Sequence, residues 1–292
     1  MADPHHHSQD RSVGRSPGRA PDMFVSRFVW YELMTTDAAA AKTFYCDVVG
    51  WGTQDASIPG MGYTFFTAGT AAVSGLINLP EEVRKTGVQA GWLGYVGVDD
   101  VDASVEQVQR LGGTVHVPPK EIPNISRFAV IADPQGATLA LFKRLEPGHE
   151  MRAEPNAPGR VDWHDLLSTN SEQAWSFYGK LFGWQKADAH KDEMGTYQMF
   201  AAGEQVIGGM FNKPAAVPVP LWLFYFNIGD VDVAVQRVRA GRGEILIGPI
   251  EVPGRRWIVQ CTDPQGAIFA LAGTRTHDGI GYFERVAPPR QK

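Results

Sequence analysis

Short segments of alternating apolar and polar residues run along most of the chain, and stretches with helical spacing interrupt them. Phe28 to Met34 reads as a strand. Thr36-Asp37 then supplies a helix N-cap before Ala38 to Val49, and Gly50 ends that helix. Three short strands follow before the pattern starts again. This order predicts a unit of one strand, one helix and three further strands.

The unit is predicted four times, twice in each half of the chain. Helices are expected near residues 38–49, 100–111, 171–182 and 231–240. Strands are expected near residues 28–34, 51–57, 62–68, 71–78, 92–98, 114–118, 127–132, 137–143, 161–167, 184–189, 196–201, 206–211, 221–228, 244–247, 256–261 and 267–272. Strands of mixed pattern, broken by two helices in each half, predict an α+β fold in which a curved sheet carries its helices outside.

The two halves of the chain repeat each other. Trp30-Tyr31-Glu32-Leu33 recurs 133 positions later as Trp163-His164-Asp165-Leu166, and Phe44-Tyr45 recurs at the same offset. Asp133-Pro134-Gln135-Gly136-Ala137 recurs at an offset of 130 positions. Two blocks at nearly equal offsets indicate a duplicated domain. Two related cavities are therefore expected, and comparing them shows which positions are able to carry chemistry.

The domain boundaries follow from composition. Residues 1–23 are rich in Ser, Pro, Gly, Arg and His and are predicted to be a disordered tail. Residues 24–145 form the first predicted domain. Residues 146–159 contain three prolines and two glycines and are interpreted as a linker. Residues 160–276 form the second domain, and residues 277–292 a C-terminal tail.

The overall composition narrows the class of protein. The 292 residues are 43% hydrophobic and carry a net charge of −5, which argues against a nucleic-acid or anionic-membrane partner. No apolar run is long enough to span a bilayer, and no signal-peptide pattern is present. The two cysteines lie in different halves, as suits a reducing compartment. A cytoplasmic monomer or homodimer acting on a small molecule is expected.

The order of these motifs resembles the vicinal oxygen chelate superfamily, which includes glyoxalase I, bleomycin-resistance proteins, fosfomycin-resistance enzymes and extradiol dioxygenases. The resemblance covers about 240 residues. It is carried by Asp37, Phe44-Tyr45, Gly50-Trp51, Val98-Asp99-Asp100-Val101-Asp102, Leu111-Gly112-Gly113, Asp133-Pro134-Gln135-Gly136, Phe177-Tyr178, Gly183-Trp184, Asp230-Val231-Asp232 and Asp263-Pro264-Gln265-Gly266. It implies two tandem glyoxalase-like domains, each a partial barrel with its ligand on the concave side. These motifs are mostly turns and helix-packing residues, so they indicate the fold more than an activity.

The resemblance also implies where a metal ion would bind. Metal-dependent members of the superfamily place His, Gln or Glu at three kinds of position. The corresponding residues are Trp30, Leu93 and Ala140 in the first half and Trp163, Leu223 and Ala270 in the second. None of these side chains is a ligand for a divalent ion. We therefore expect no metal and no other cofactor at these positions.

Alternation of side chains along a strand predicts the lining of each cavity. The ligand-binding candidates are Trp30, Met34, Leu93, Tyr95 and Arg127 in the first half, and Trp163, Leu167, Leu223, Tyr225 and Asn227 in the second. Each cavity is then mostly apolar with a few polar groups, which is typical of a small-molecule site.

Glu32 and Asp165 are the candidate catalytic residues. Burial beside Trp and Leu should raise the pKa of either carboxyl group and suit it to proton transfer or to anchoring a cationic or hydroxylated ligand. A structural role is the alternative, with Arg127 or Arg256 as an ion-pair partner. His164 is predicted to face the helix side as a packing residue.

Three functions remain open from the sequence. The first is a metal-independent enzyme, such as a lyase, isomerase or hydroxylase, that uses Glu32 or Asp165. The second is a binding protein of the bleomycin-resistance kind. The third is a metal-dependent lyase or dioxygenase with atypical ligands such as Glu32 and His164. We favour binding of a small aromatic molecule, with metal-independent acid–base catalysis as an added capacity. The first half is favoured because Glu32 reaches further.

Overall fold

The computed structural model describes residues 26–56, 62–145, 157–192 and 195–275. The predicted N-terminal tail, the whole predicted C-terminal tail and most of the linker lie outside the described residues. Within them, each half forms one mixed sheet of eight strands.

The first half contains β1 (Phe28–Thr35), α1 (Ala38–Val49), β2 (Gly52–Asp55), β3 (Tyr63–Ala68), β4 (Ala71–Asn78), α2 (Glu81–Lys85), β5 (Gly91–Gly97), α3 (Val101–Arg110), β6 (Thr114–Ile122), β7 (Ser126–Ala132) and β8 (Thr138–Arg144). The second half contains β9 (Val161–Ser168), α4 (Ser171–Phe182), β10 (Gln185–Asp192), β11 (Gly195–Ala202), β12 (Gln205–Asn212), β13 (Leu221–Asp230), α5 (Val231–Ala240), β14 (Glu244–Val252), β15 (Arg256–Thr262) and β16 (Ile268–Thr274).

The strand order shows the repeated unit directly. The first sheet runs β2-β3-β4-β1-β5-β8-β7-β6, and the second runs β10-β11-β12-β9-β13-β16-β15-β14. The two units of each half meet at one antiparallel pair, β1 with β5 or β9 with β13. The α+β prediction and the tandem duplication are confirmed. The short helix α2 was not expected, since it buries none of its residues. None of the helices in the described residues is long and apolar enough to cross a membrane.

The predicted caps fix where the helices begin and end. The Asp37 side chain accepts a hydrogen bond from the Ala40 N–H, and Gly50 ends α1 with φ +85°. Asn170 and Gly183 do the same for α4, with φ +68° at the glycine. A residue without Cβ takes this left-handed conformation at little cost, so the chain turns back toward the sheet.

As predicted, the helices pack on one face of each curved sheet. The helix-bearing faces of the two sheets are turned toward each other, so the helices lie between the sheets. Residues of both halves form one shared apolar core there. The contacts across it are related by the duplication: the Tyr45 hydroxyl donates to Asp263 at 3.1 Å, and Tyr178 lies near Asp133 at the equivalent place. Within the described residues, the helices that pack on the strands leave the other face of each sheet uncovered, and we call this the open face. It has its own smaller clusters, around Leu93, Tyr95 and Ala140 in the first sheet and Leu223, Tyr225 and Ala270 in the second.

Two residues at equivalent positions meet between the halves. The Tyr31 hydroxyl lies 2.6 Å from Nε2 of His164, and Nδ1 of His164 lies 2.6 Å from the Ile207 carbonyl oxygen. A carbonyl oxygen only accepts, so Nδ1 carries the proton and Nε2 accepts from Tyr31. Burial lowers the pKa of His164 to about 4. The prediction that His164 packs on the helix side is confirmed.

Candidate functional site

Glu32 lies on the open face of the first sheet among aromatic side chains. The Tyr95 hydroxyl donates to Oε1 of Glu32 at 3.1 Å. The Tyr63 hydroxyl on β3 accepts from Trp30 Nε1 at 3.1 Å and lies close enough to Glu32 to lower the pKa of its carboxyl group. Glu32 is half-buried. The site is therefore a half-buried carboxylate that lies beside two phenols.

Asp165 occupies the equivalent place in the second sheet, deeper and with shorter contacts. The Tyr197 hydroxyl donates to Oδ1 at 2.6 Å, and the Tyr225 hydroxyl donates to Oδ2 at 2.7 Å. Trp163 Nε1 lies 3.1 Å from Oδ1 of Asp165 and 2.8 Å from the Tyr197 oxygen. Asp165 is only 5% exposed. Both of its oxygens are thus engaged within the protein.

Burial raises the pKa of both carboxyl groups, as expected. Desolvation raises the pKa of Glu32, and hydrogen bonds from Tyr63 and Tyr95 hold part of that rise back. Desolvation likewise raises the pKa of Asp165 to about 6, against the lowering effect of its hydrogen-bond donors. Asp165 is therefore able to exchange a proton near neutral pH, and the pKa of Glu32 is shifted in the same direction.

Glycines make room for the tyrosines that reach the carboxylates. Gly75 on β4 is paired with Glu32, and Gly209 on β12 is paired with Asp165. A Cβ at Gly75 would overlap the Tyr63 ring, and a Cβ at Gly209 would overlap the Tyr197 ring. Sequence reasoning did not assign Tyr63 and Tyr197 to the site. The signal for them was present, since each tyrosine and its glycine recur in both halves.

Aromatic rings dominate the surroundings of Glu32. The Trp30 and Phe65 ring centroids lie 6.0 Å apart, edge to face, and those of Tyr63 and Phe65 lie 5.3 Å apart. On the other side of the face, the Tyr95 and Phe142 centroids lie 6.2 Å apart. Phe128 and Phe142 pack against the same cluster and are half-buried.

The second open face is more polar. Gln260 donates to the Tyr225 oxygen at 3.3 Å, and Arg256 donates to Asn227 Oδ1 at 2.5 Å. Asn227 in turn donates to Asp162 at 2.5 Å. The residues at the equivalent positions of the first half are Val130 for Gln260, Ser126 for Arg256, Gly97 for Asn227 and Val29 for Asp162. The two open faces have therefore diverged in chemistry.

The structure brings most of the predicted residues together. On the first open face Trp30 and Met34 are half-buried, and Leu93 and Tyr95 are buried. The second open face carries Trp163, Leu167, Leu223 and Tyr225, with Asn227 at its polar end.

Arg127 requires a correction. It donates to both carboxylate oxygens of Asp102 on α3, at 2.6 and 2.7 Å, and does not contact Glu32. Its strand neighbours explain this placement: Phe128 and Val130 pack on the open face, so alternation turns Arg127 toward the helix.

The side chains at the superfamily metal positions do not fit a metal ion. Leu93 is paired with Glu32 and Tyr95 with Ala140, so these positions meet on the first open face. They present alkyl and ring carbons there, as do their counterparts in the second sheet. Across the described ranges, no group of three His, Cys, Asp or Glu side chains is placed to hold an ion. Glu32 and His164 lie in different sheets and on opposite kinds of face, so they do not form the atypical ligand pair.

Comparison with known proteins agrees with the fold. The family model described as the glyoxalase/bleomycin resistance protein/dioxygenase superfamily matches residues 27–141 and 160–271. A protein of Mycobacterium tuberculosis named "Putative glyoxylase CFP32" is 32% identical over 244 residues, 83% of this chain and 92% of that protein. The anthracycline biosynthesis protein DnrV of Streptomyces peucetius is 30% identical over 260 residues, 84% of this chain and 92% of that protein.

Solved structures show the same architecture at lower identity. The Mn(II)-bound glyoxalase from Novosphingobium aromaticivorans superposes with a TM-score of 0.60 at 18% identity, covering 85% of this chain and 82% of that one. The 2,3-dioxygenase LapB from Pseudomonas sp. KL28 gives a TM-score of 0.57 at 15% identity, covering 88% and 94%. At these identities the likeness concerns the fold alone.

Proposed function

The chain belongs to the glyoxalase/bleomycin resistance protein/dioxygenase superfamily, and we propose that it binds a small, planar aromatic molecule on its first open face without a metal ion at the superfamily position. The observation that carries the proposal is the ring of aromatic side chains around half-buried Glu32. Aromatic pairs that stack or meet edge to face gain about 0.5–1.5 kcal/mol beyond the area they bury. Such a surface therefore favours a flat aromatic ligand.

One relative adds support. DnrV is named for anthracycline biosynthesis, and an anthracycline is a planar, fused-ring aromatic molecule. We extend only the general shape of such a ligand to this protein. The side chains at the metal positions, which are apolar here, support ligand binding through ring contacts rather than through a bound ion.

Glu32 is the proposed acid–base group of the site. Its raised pKa and its half-buried position suit proton transfer with a bound molecule. Asp165 is the weaker candidate despite its raised pKa, because Tyr197 and Tyr225 occupy both of its oxygens.

The binding step is tested with chelator-treated protein and 2-(hydroxymethyl)naphthalene, a flat and neutral probe. Proton–nitrogen spectra of the tryptophan indole groups locate the site, with Trp30→Phe identifying the Trp30 signal. We expect the probe to shift that signal. Absence of binding, or shifts confined to tryptophans of the second sheet, would overturn the proposal.

The proton-transfer step is tested with 5-nitrobenzisoxazole, a planar substrate whose ring opens when a base removes its carbon-bound proton. We expect a rate above buffer that falls at least about tenfold in Glu32→Gln. Affinity for the neutral naphthalene probe should change little in that variant. An undiminished rate in Glu32→Gln would exclude Glu32 as the base.

A further inference from the structure

Glu32 has no cation beside it, whereas two other half-buried acids of the described residues do. Asp232 binds Arg275 at 2.7 Å, and Asp162 lies 3.8 Å from Arg256. Glu32 accepts a hydrogen bond from the Tyr95 hydroxyl, and no basic side chain in the described part of the chain forms an ion pair with it. A partly desolvated carboxylate without a counter-charge leaves electrostatic stabilisation unused, and a ligand is able to supply it.

The rings around Glu32 suit a cation as well as an aromatic group. Trp30, Phe65 and Tyr63 line one side of the carboxylate, and Tyr95 and Phe142 line the other. The π faces of such rings attract a positive charge, and cages of this kind recognise alkylammonium groups. Glu32 and the rings therefore favour the same kind of chemical group.

The second open face serves as an internal comparison. The positions equivalent to Phe65 and Phe142 hold Met199 and Ala272 there, so two rings of the cage are missing, and Phe211 beside Tyr197 replaces only one of them. That face also carries a cation of its own, Arg256, and its carboxylate Asp165 is buried under its donors. An ammonium group is thus favoured on the first open face and disfavoured on the second.

We propose that the first open face recognises an alkylammonium group, with Glu32 as its counter-ion and the surrounding rings as its cage, so that the natural ligand is a planar aromatic amine in its cationic form. This inference rests on the proposed function, because the same face receives the aromatic part of the ligand. Beyond the proposed function, the inference specifies that the ligand is positively charged, and it explains why the open faces of the two halves differ in chemistry.

The experiment compares two probes that share one ring system. 2-(Aminomethyl)naphthalene is a cation at neutral pH, and 2-(hydroxymethyl)naphthalene is its neutral analogue. Calorimetry gives both affinities, and the Trp30 indole signal confirms the site. We expect the amine to bind roughly tenfold to hundredfold more tightly, as a charge-assisted hydrogen bond implies.

Variants separate Glu32 from general surface charge. Glu32→Gln should remove the preference for the amine, so that the ratio of amine to alcohol affinity falls to near one. Glu204→Gln is the matched control, because it makes the same change at an exposed turn of the second half. It should keep the preference intact.

A measurement on the unaltered protein covers the case in which Glu32→Gln folds poorly. The ratio of amine to alcohol affinity should fall as the pH drops through the raised pKa of Glu32, because protonation removes the counter-ion. Tyr63 and Tyr95, the titratable groups that face Glu32 from β3 and β5 in the described residues, stay protonated throughout this range.

The outcomes separate the two proposals. Equal affinity for both probes overturns the ammonium inference and leaves the aromatic site standing. Failure of both probes to bind overturns the proposed function itself. A preference that survives Glu32→Gln, or that disappears equally in Glu204→Gln, shows that Glu32 is not the counter-ion and overturns the inference.

Discussion

His164 should make the junction between the halves sensitive to acid, and His164→Asn should remove that sensitivity. The imidazole is buried and stacks on Phe28 with ring centroids 4.1 Å apart. It accepts from the Tyr31 hydroxyl only while Nε2 is unprotonated. Asparagine does not titrate, but its amide is able to keep a donor toward the Ile207 carbonyl. The readout is therefore the pH dependence of stability and not its absolute value.

The magnitude follows from the two pKa values of the imidazole. Its pKa falls from 6.5 to about 4 on folding, so the unfolded chain binds more protons between these values. The contribution of neutral His164 to the free energy of unfolding is thus fully present above pH 6.5 and is lost as the pH falls toward 4. At 1.36 kcal/mol per pKa unit, the full effect is about 3 kcal/mol.

Asp165 has the opposite effect on the free energy of unfolding over nearly the same pH range. Its pKa rises from 3.8 to about 6 on folding, so the folded protein regains stability as the pH falls from 6 to 3.8. This gain is also about 3 kcal/mol. The two effects mask each other in the unaltered protein. His164→Asn should therefore become more stable toward pH 4, and Asp165→Asn less stable, each relative to the parent at the same pH.

Urea unfolding followed by circular dichroism, at intervals from pH 7.5 to 4, measures these differences. The free-energy difference between the parent and His164→Asn should shrink by about 3 kcal/mol across the range. A difference that stays constant with pH would refute the account of His164 as a neutral, proton-accepting contact. Asp165→Asn gives the sign control.

Three further changes test individual contacts. Gly75→Ala should displace Tyr63 and weaken binding of the neutral naphthalene probe about tenfold by calorimetry, whereas Gly62→Ala, in open space, should not. Tyr45→Phe should lower the unfolding free energy by about 1–3 kcal/mol in urea, because buried Asp263 loses a donor. Lys42→Ala should cost less than about 1 kcal/mol in the same assay, because its ion pair with Asp55 is exposed.

The helices, the strands and the domain duplication could be predicted from the sequence because they depend on patterns within short segments. Caps such as Asp37 and Gly50 mark the ends of α1, and strand alternation placed Glu32, Tyr95 and their counterparts on one face. The same rule, applied from Phe128, would have placed Arg127 on the helix side. It was instead assigned by its nearness to the seventh strand, and the structure pairs it with Asp102 on α3.

What the sequence did not reveal depends on contacts between distant segments. Tyr63 reaches Glu32 across a neighbouring strand only because Gly75 leaves the space, a relation that no single segment shows. The contact between Tyr31 and His164 depends on how the two sheets pack together. Strand alternation predicts the face of His164 but not the residue that meets it there.

Metal-free binding of an aromatic ammonium ligand beside Glu32 is tested by a crystal structure of chelator-treated protein bound to 2-(aminomethyl)-6-bromonaphthalene, with anomalous scattering recorded for bromine and for transition metals. We expect bromine density among the rings of the first open face, the ammonium nitrogen beside Glu32 and no metal scattering at the site. An ion lying between the ligand and the sheet, or a ligand seated only on the second open face, would contradict it.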